Sequence, residues 1–313
     1  MMKRVLYLLC AMLLVFCSCT AAEEPASDRL QIVATSFAPY DFARAVAGDM
    51  ADISMLLPPG SESHSFEPTA QDILRISNCD VFIYVGGESD AWIEGILDSI
   101  PHDEITMIRL MPMIECLHED HDHGIEAEEH VHTHEDHEEY DEHIWTSPVN
   151  AITIAQGICD VLCEVDGEHA DTYQANAKTY IAELEEIDQA FRDVVENAQR
   201  HEIIFGDRFP FLYFVREYGL SYHAAFPGCA SQTEPSAATL AYLIDCVKQE
   251  GVPVVLKAEL SSDKIANAIA EATGTNVMTF YACHNISAED MQEGRTYASF
   301  MWENVETLKE ALN

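Results

Sequence analysis

The sequence predicts an α/β protein of two lobes with parallel sheets, joined by one long rigid α-helix. Three observations predict it. Short apolar strands alternate with amphipathic helices in both halves of the chain, the pattern of parallel sheets crossed by helices. Between the halves, residues 168–199 carry one apolar stripe: Tyr173, Ala177, Tyr180, Leu184, Ile187, Phe191 and Val194, spaced alternately four and three apart. The chain has 313 residues and is 48% hydrophobic, enough to fill two cores.

The elements follow in order. In "LQIVATSFAPYDFARAVAG" an alternating strand turns at Ser36, Phe37 and Pro39 into a helix with Phe42, Ala45 and Val46 on one face. "ADISMLLPPG" is a strand ending in a Pro-Gly loop, and "EPTAQDILRISNC" a helix with Pro68 near its start. "DVFIYVGG" is an apolar strand of the kind buried in a parallel sheet; "DAWIEGILDSI" is a helix and "ITMIRL" a strand. These elements, with the helix "PVNAITIAQGICDVLCEV", make a first lobe over residues 29–167. In that helix Ser147 is the expected cap, Pro148 the first residue, and Ile152, Ala155, Ile158, Val161 and Leu162 the core face. The second lobe, residues 200–313, repeats the alternation from "EIIFGD" to the closing helix "TYASFMWENVETLKEAL". In it "SSDKIANAIAEATG" reads as a helix capped by Ser261 or Ser262.

Charge narrows the function. Fifty-five Asp+Glu against 16 Lys+Arg give a net charge of −39. That excludes nucleic acid as a partner, because phosphates need Lys and Arg. It suits an extracytoplasmic protein or one that handles cations. No Lys or Arg lies between Arg109 and Lys178, so the anionic character is concentrated there.

The N-terminus reads as a targeting segment. Lys3 and Arg4 precede an apolar run from Val5 to Phe16, too short to span a bilayer. The ending "LVFCSCT" resembles a bacterial lipobox, with Cys19 as the lipidated residue; Phe16 and Cys17 depart from that pattern upstream. Residues 1–19 are then the signal, and 20–28 a tether to an acyl-anchored membrane site. Beyond Cys19 seven cysteines remain: Cys79, Cys116, Cys159, Cys163, Cys229, Cys246 and Cys283. An odd number leaves at least one thiol free within a chain. No CxxC pattern points to a thiolate zinc site.

Histidine is concentrated in "LHEDHDHGIEAEEHVHTHEDHEEYDEHIWTSP". Residues 117–142 show neither helical nor strand period and are expected to form a mobile loop interrupting the first lobe. His118, His121, His123, His130, His132, His134 and His137 lie there among acids, a composition suited to weak cation capture. His143 belongs to the ordered "HIWTSP" that follows. His64, in "LLPPGSESHSFEPT", occupies a similar strand-to-helix loop. Neutral imidazole is a common ligand for zinc and other transition metals.

With these motifs in view, the chain resembles the solute-binding proteins of zinc- and manganese-type ABC transporters, the cluster A-I metal-binding lipoproteins. "GSESHSFEPT" is similar to the family's first ligand motif and "DEHIWTSPVNA" to its second; the histidine-rich insertion is similar to that of the zinc-specific members. The likeness covers essentially everything after residue 28. It implies two lobes, a metal in the inter-lobe cleft, and an ABC permease and its ATPase as partners. It also implies an extracytoplasmic monomer, anchored to the cell membrane by lipid or periplasmic.

The remaining ligands transfer less directly. Where the family places a His or Glu in the first loop of the second lobe, an ungapped count reaches Arg208, which cannot ligate; Asp207 beside it can. The alternative is that Asp207 pairs with Arg208 or caps the next helix. His284, in "FYACHNIS", stands where manganese-type relatives carry an Asp, and His223 in "LSYHAAF" is a reserve. The expected set is His64, His143, His284 and Asp207, three nitrogens and one oxygen, suited to Zn²⁺. Glu234 and Glu259 resemble acids of the second lobe and are expected to orient ligands. Mn²⁺ or Fe²⁺ transport, or an adhesin, is the alternative within the family. A zinc hydrolase is the alternative outside it, but the sequence has neither HExxH nor GxSxG.

Overall fold

The computed structural model describes residues 29–62, 66–118, 140–226 and 235–313. The signal segment, the tether, Cys19, His64, Cys229, Glu234 and the histidines from His121 to His137 lie outside the described residues.

Each lobe holds one four-stranded parallel sheet. In the first, β1 (Leu30–Ala34) lies between β2 (Ala51–Met55) and β3 (Val81–Tyr84), and β4 (Thr106–Arg109) follows β3. The second sheet repeats that order with β5 (Glu202–Phe205), β6 (Ser221–Ala224), β7 (Val254–Lys257) and β8 (Asn276–Thr279), arranged β6-β5-β7-β8. In each sheet the chain steps first to one side of the leading strand and then to the other. The loops therefore diverge between β1 and β3 and between β5 and β7. Ligands of open parallel sheets bind at such switch points, outside the carboxyl ends.

The helices of the first lobe are α1 (Phe37–Ala47), α2 (Ala70–Ser77), α3 (Trp92–Leu97) and α4 (Pro148–Val165). Helix α5 (Ala170–Glu196) is the long connection. The second lobe has α6 (Leu212–Tyr218), α7 (Ala237–Glu250), α8 (Lys264–Thr273), α9 (Ala288–Glu293) and α10 (Tyr297–Leu312). Starts follow local chemistry. Thr69 and Asp72 form a capping box on α2, and Ser147 accepts from Asn150 N with Pro148 at the first position of α4. Two starts differ from expectation. Helix α1 begins at Phe37, so Pro39 sits inside its first turn, where a missing N–H costs nothing. Helix α8 begins at Lys264 after Asp263; Ser261 instead donates to Ala258 O, bracing the loop after β7. Ser262 reaches Lys264 N only at 3.4 Å.

Helix α5 explains how the lobes cohere. Its buried stripe is Tyr173, Ala177, Tyr180, Leu184, Ile187 and Phe191. Tyr180 lies 6.3 Å from Phe42 of α1, while Phe191 packs edge-on to Phe214 at 4.9 Å and against Tyr218 at 5.3 Å in α6. One hydrophobic cluster thus runs from the first lobe through α5 into the second. Each fully buried side chain of this size contributes about 1.5–3 kcal/mol, so a Pro within this stripe would uncouple both cores. Helix α4 is long and apolar enough to cross a membrane, but Ala151, Ile154, Ala155, Ile158 and Leu162 are buried in the same cluster, as a core helix requires.

Candidate metal centre

The loops after the carboxyl ends of both sheets meet in a cleft of about 160 Å³. His143, Asp207, Glu259 and His284 line it, together with Glu62 and Arg208.

His143 is placed by the turn after the first lobe's last crossover. A short 3-10 turn, Ile144–Thr146, separates it from the Ser147 cap. The Asp141 carboxylate accepts from His143 N at 2.7 Å and from the ring Nδ1 at 2.9 Å. His143 is 1% exposed and Asp141 2%. With Nδ1–H donating to Asp141, the lone pair lies on Nε2, the arrangement by which a carboxylate orients a metal-ligating imidazole and raises its basicity.

His284 comes from the loop after β8. Its ring lies edge-on to that of His143, with centroids 5.3 Å apart, and both rings neighbour Trp145. The preceding residue, Cys283, is a non-glycine at φ 59°, a sparsely populated conformation that the surroundings must hold. Several bonds hold it. Glu259 accepts from Ala282 N at 2.6 Å and from His284 N at 3.2 Å. Trp145 Nε1 donates to Ala282 O at 2.7 Å, and Phe37 N to His284 O at 3.1 Å, both from the first lobe. Burial pushes the Glu259 carboxyl up to about 7, against the lowering by those backbone N–H groups.

Asp207 follows β5. Gly206 lets this loop approach α8, since a Cβ there would fall 2.5 Å from Ala266 Cα. The Asp207 carboxylate accepts from Arg208 N at 2.8 Å and, on its other oxygen, from Ala258 N at 3.0 Å. It therefore braces the β5 and β7 loops at the second sheet's switch point while facing the cleft. The Arg208 guanidinium turns to the mouth and reaches Glu62 at 3.4 Å.

The loop that leads to His64 is pinned over the same cleft. Asn285 Nδ2 donates to Pro58 O and to Ser61 O, each at 2.8 Å, and Gly60 N donates to Ile286 O at 2.8 Å. His223 stands apart. It lies on edge strand β6, between Glu202 at 3.2 Å and the Tyr242 hydroxyl at 3.2 Å, and does not line the cleft. An alternating strand gave no sign of which face it would take.

The structure thus brings His143, His284, Asp207 and Glu259 together. Among the described residues no group of three or more His, Cys, Asp or Glu closes to metal-holding distance. Asp141, Glu142, Tyr213 and Asn285 were not singled out from the sequence; only Asp141, two residues before His143, carried a local sign.

Residues 32–311 match the family model described as zinc-uptake complex component A, periplasmic. The chain belongs to this family. Among its curated relatives, the zinc-binding lipoprotein AdcA of Streptococcus pneumoniae is 31% identical over 308 residues, covering 96% of this chain and 59% of that protein. The chain thus spans somewhat more than half the length of such relatives. The high-affinity zinc uptake system protein ZnuA of Bacillus subtilis is 29% identical, with 97% of this chain and 95% of that protein covered. Among solved structures, the Zn(II)-bound ZnuA-like domain of Streptococcus pneumoniae AdcA superposes with a TM-score of 0.75 at 28% identity, over 91% of this chain and 99% of that one. The zinc-uptake family fold is therefore that of this chain: two parallel-sheet α/β lobes with a long linking helix.

Proposed function

We propose that this chain is the extracytoplasmic zinc-binding component of an ABC transporter, which captures Zn²⁺ and delivers it to a membrane permease with its ATPase. The observation that carries this reading is the buried Asp141–His143 pair beside His284 in the inter-lobe cleft. It is supported by membership of a family described by zinc uptake and by relatives described as zinc-binding. His64, His143, His284 and Asp207 would hold the ion; three imidazoles and one carboxylate suit tetrahedral Zn²⁺. Glu259 would set the His284 loop.

The other parts of the proposal concern how the protein reaches its cargo. Cys19 would carry the lipid, consistent with relatives described as lipoproteins, and hold a monomer at the outer face of the cell membrane. The histidine-rich insertion, with His118 at its start, would collect cations weakly. Deleting residues 119–139 and measuring zinc stoichiometry tests that role; unchanged stoichiometry removes it.

We read the protein as a carrier rather than an enzyme. Burial pushes the Cys79 thiol up to about 12 and raises Cys283 as well, away from the thiolate form that a nucleophilic cysteine needs. The deciding experiment is a competition titration of the metal-free protein with Zn²⁺ and Mn²⁺. Zinc is expected to bind more tightly; tighter manganese binding would move the protein to the manganese- or iron-type members.

A further inference from the structure

The chain leaves the first lobe at Leu117 and returns at Asp141. The two ends form a closed neck. Asp141 N donates to Leu117 O at 2.9 Å, His118 and Tyr140 make an antiparallel bridge, and their rings stack at 4.4 Å. A side chain from the other lobe enters this neck. The Tyr213 hydroxyl, on α6, accepts from Leu117 N at 3.0 Å and donates to Asp141 O at 2.8 Å. Tyr213 is 4% exposed, and the Cys116 thiol lies beside its hydroxyl.

We propose that Tyr213 is a positioning residue for the metal-binding imidazole: by tying both ends of the neck, it fixes the carboxylate that orients His143. The inference rests on the reading of His143 as a ligand.

The chain of bonds is short. Tyr213 holds the backbone of Asp141, and the Asp141 side chain holds both the backbone and the ring of His143. One hydroxyl satisfies a donor on one side of the neck and an acceptor on the other, so removing it orphans both at once. Movement at Asp141 is passed to the ring, because one carboxylate oxygen accepts from both the backbone N and the ring Nδ1 of His143. Burial pushes the Tyr213 hydroxyl up, so it stays protonated and able to donate. The arrangement also has a consequence for release. The tyrosine belongs to the second lobe and the histidine to the first, so a shift of α6 relative to the first lobe would reach His143 through Asp141.

The test is Tyr213→Phe in the full chain, which keeps the ring and its packing. Zinc affinity, by competition with a chromophoric chelator, is expected to fall roughly 10-fold or more, the range of lost outer-shell partners. Nitrogen-15 spectra of metal-free protein should show His143 as one Nδ1-protonated tautomer in the native chain and as a mixture in Y213F. Asp141→Asn should weaken binding further, and the double variant should bind about as the D141N single does. Native affinity and tautomer in Y213F, or effects that multiply in the double variant, would overturn the proposal. Should Y213F fail to fold, 3-fluorotyrosine at position 213 carries the test: a shifted His143 nitrogen spectrum is expected, and an unchanged one overturns the proposal. His143→Ala separates the two claims. If it leaves affinity unchanged, the ligand reading fails; if it abolishes binding while Y213F is native, only the role of Tyr213 fails.

Discussion

The two lobes have the same strand order, yet they present their polar groups to the cleft differently. Among the described residues the first lobe offers one imidazole, His143, inside a rigid frame: Asp141 at its ring, a capped α4 behind it and Trp145 fully buried beside it. The second lobe offers loops. Asp207 has one backbone N–H on each carboxylate oxygen, and His284 follows a residue at positive φ, held in place by Glu259. A ligand on a frame is ready before the ion arrives; ligands on loops must be braced by neighbours. Movement that releases an ion should therefore come from the second lobe's loops rather than from bending α5, whose stripe is packed into both cores.

The comparison breaks most directly at the two imidazoles. His143→Ala and His284→Ala should each reduce zinc affinity by more than the 10- to 100-fold typical of outer-shell losses. They should differ in stability. H143A leaves the buried Asp141 carboxylate without its ring donor, costing about 1–3 kcal/mol, whereas H284A keeps the backbone bond from Phe37 N to residue 284 and gives up the ring contacts with His143 and Trp145. Thermal unfolding of the metal-free variants checks this. Equal losses would mean that the first lobe's frame is no stiffer than the second lobe's loops.

Periodicity made the strands, the α5 stripe and the Ser147–Pro148 cap legible, because each is written within a few neighbouring residues. The bracing of the site was not. Tyr213 and Asp141 are 72 positions apart, Asn285 and Pro58 are 227 apart, and nothing local marks either pair. Asp207 shows the same limit. The sequence left open whether it would pair with Arg208, cap a helix or ligate. The structure gives it a bracing role that spans two loops, because β5 and β7 lie side by side only in the folded sheet. His223 was ambiguous for a simpler reason: an edge strand has two faces, and only the packing of α7 against β6, through Tyr242, decided which one held it.

Asp207→Asn sharpens the contrast at intermediate size. The two backbone donors sit on opposite carboxylate oxygens, and an amide can accept at only one of them. The expected loss is about 1–3 kcal/mol of stability for one orphaned N–H, with zinc affinity falling about 10-fold or more. Calorimetry of metal-free protein and chelator competition, run on the same variant, separate the two effects. A stability loss with native affinity would assign Asp207 to bracing alone.

The effect with the least consequence for zinc affinity concerns the first lobe's own switch point. Asp90 follows β3 and accepts from Val85 N at 2.7 Å and Gly86 N at 3.0 Å through one oxygen. Burial pushes its carboxyl up to about 6, and the nearby Glu142 adds to this, while the backbone N–H groups and Arg109 oppose it. A raised acid binds its proton in the folded state over a range where the unfolded chain has already lost it. Its contribution is fully present below about pH 4 and is lost as pH rises through about 6. Asp90→Asn keeps an acceptor oxygen for both N–H groups and removes the charge. The difference in stability between D90N and the native chain should therefore grow in favour of D90N between about pH 4 and pH 6, reaching on the order of 1–3 kcal/mol, and then level off. Urea unfolding of metal-free protein at pH 4, 5, 6 and 7 reads it. A difference that is flat with pH would show that Asp90 ionises normally and that the first lobe's frame carries no buried charge penalty at this loop.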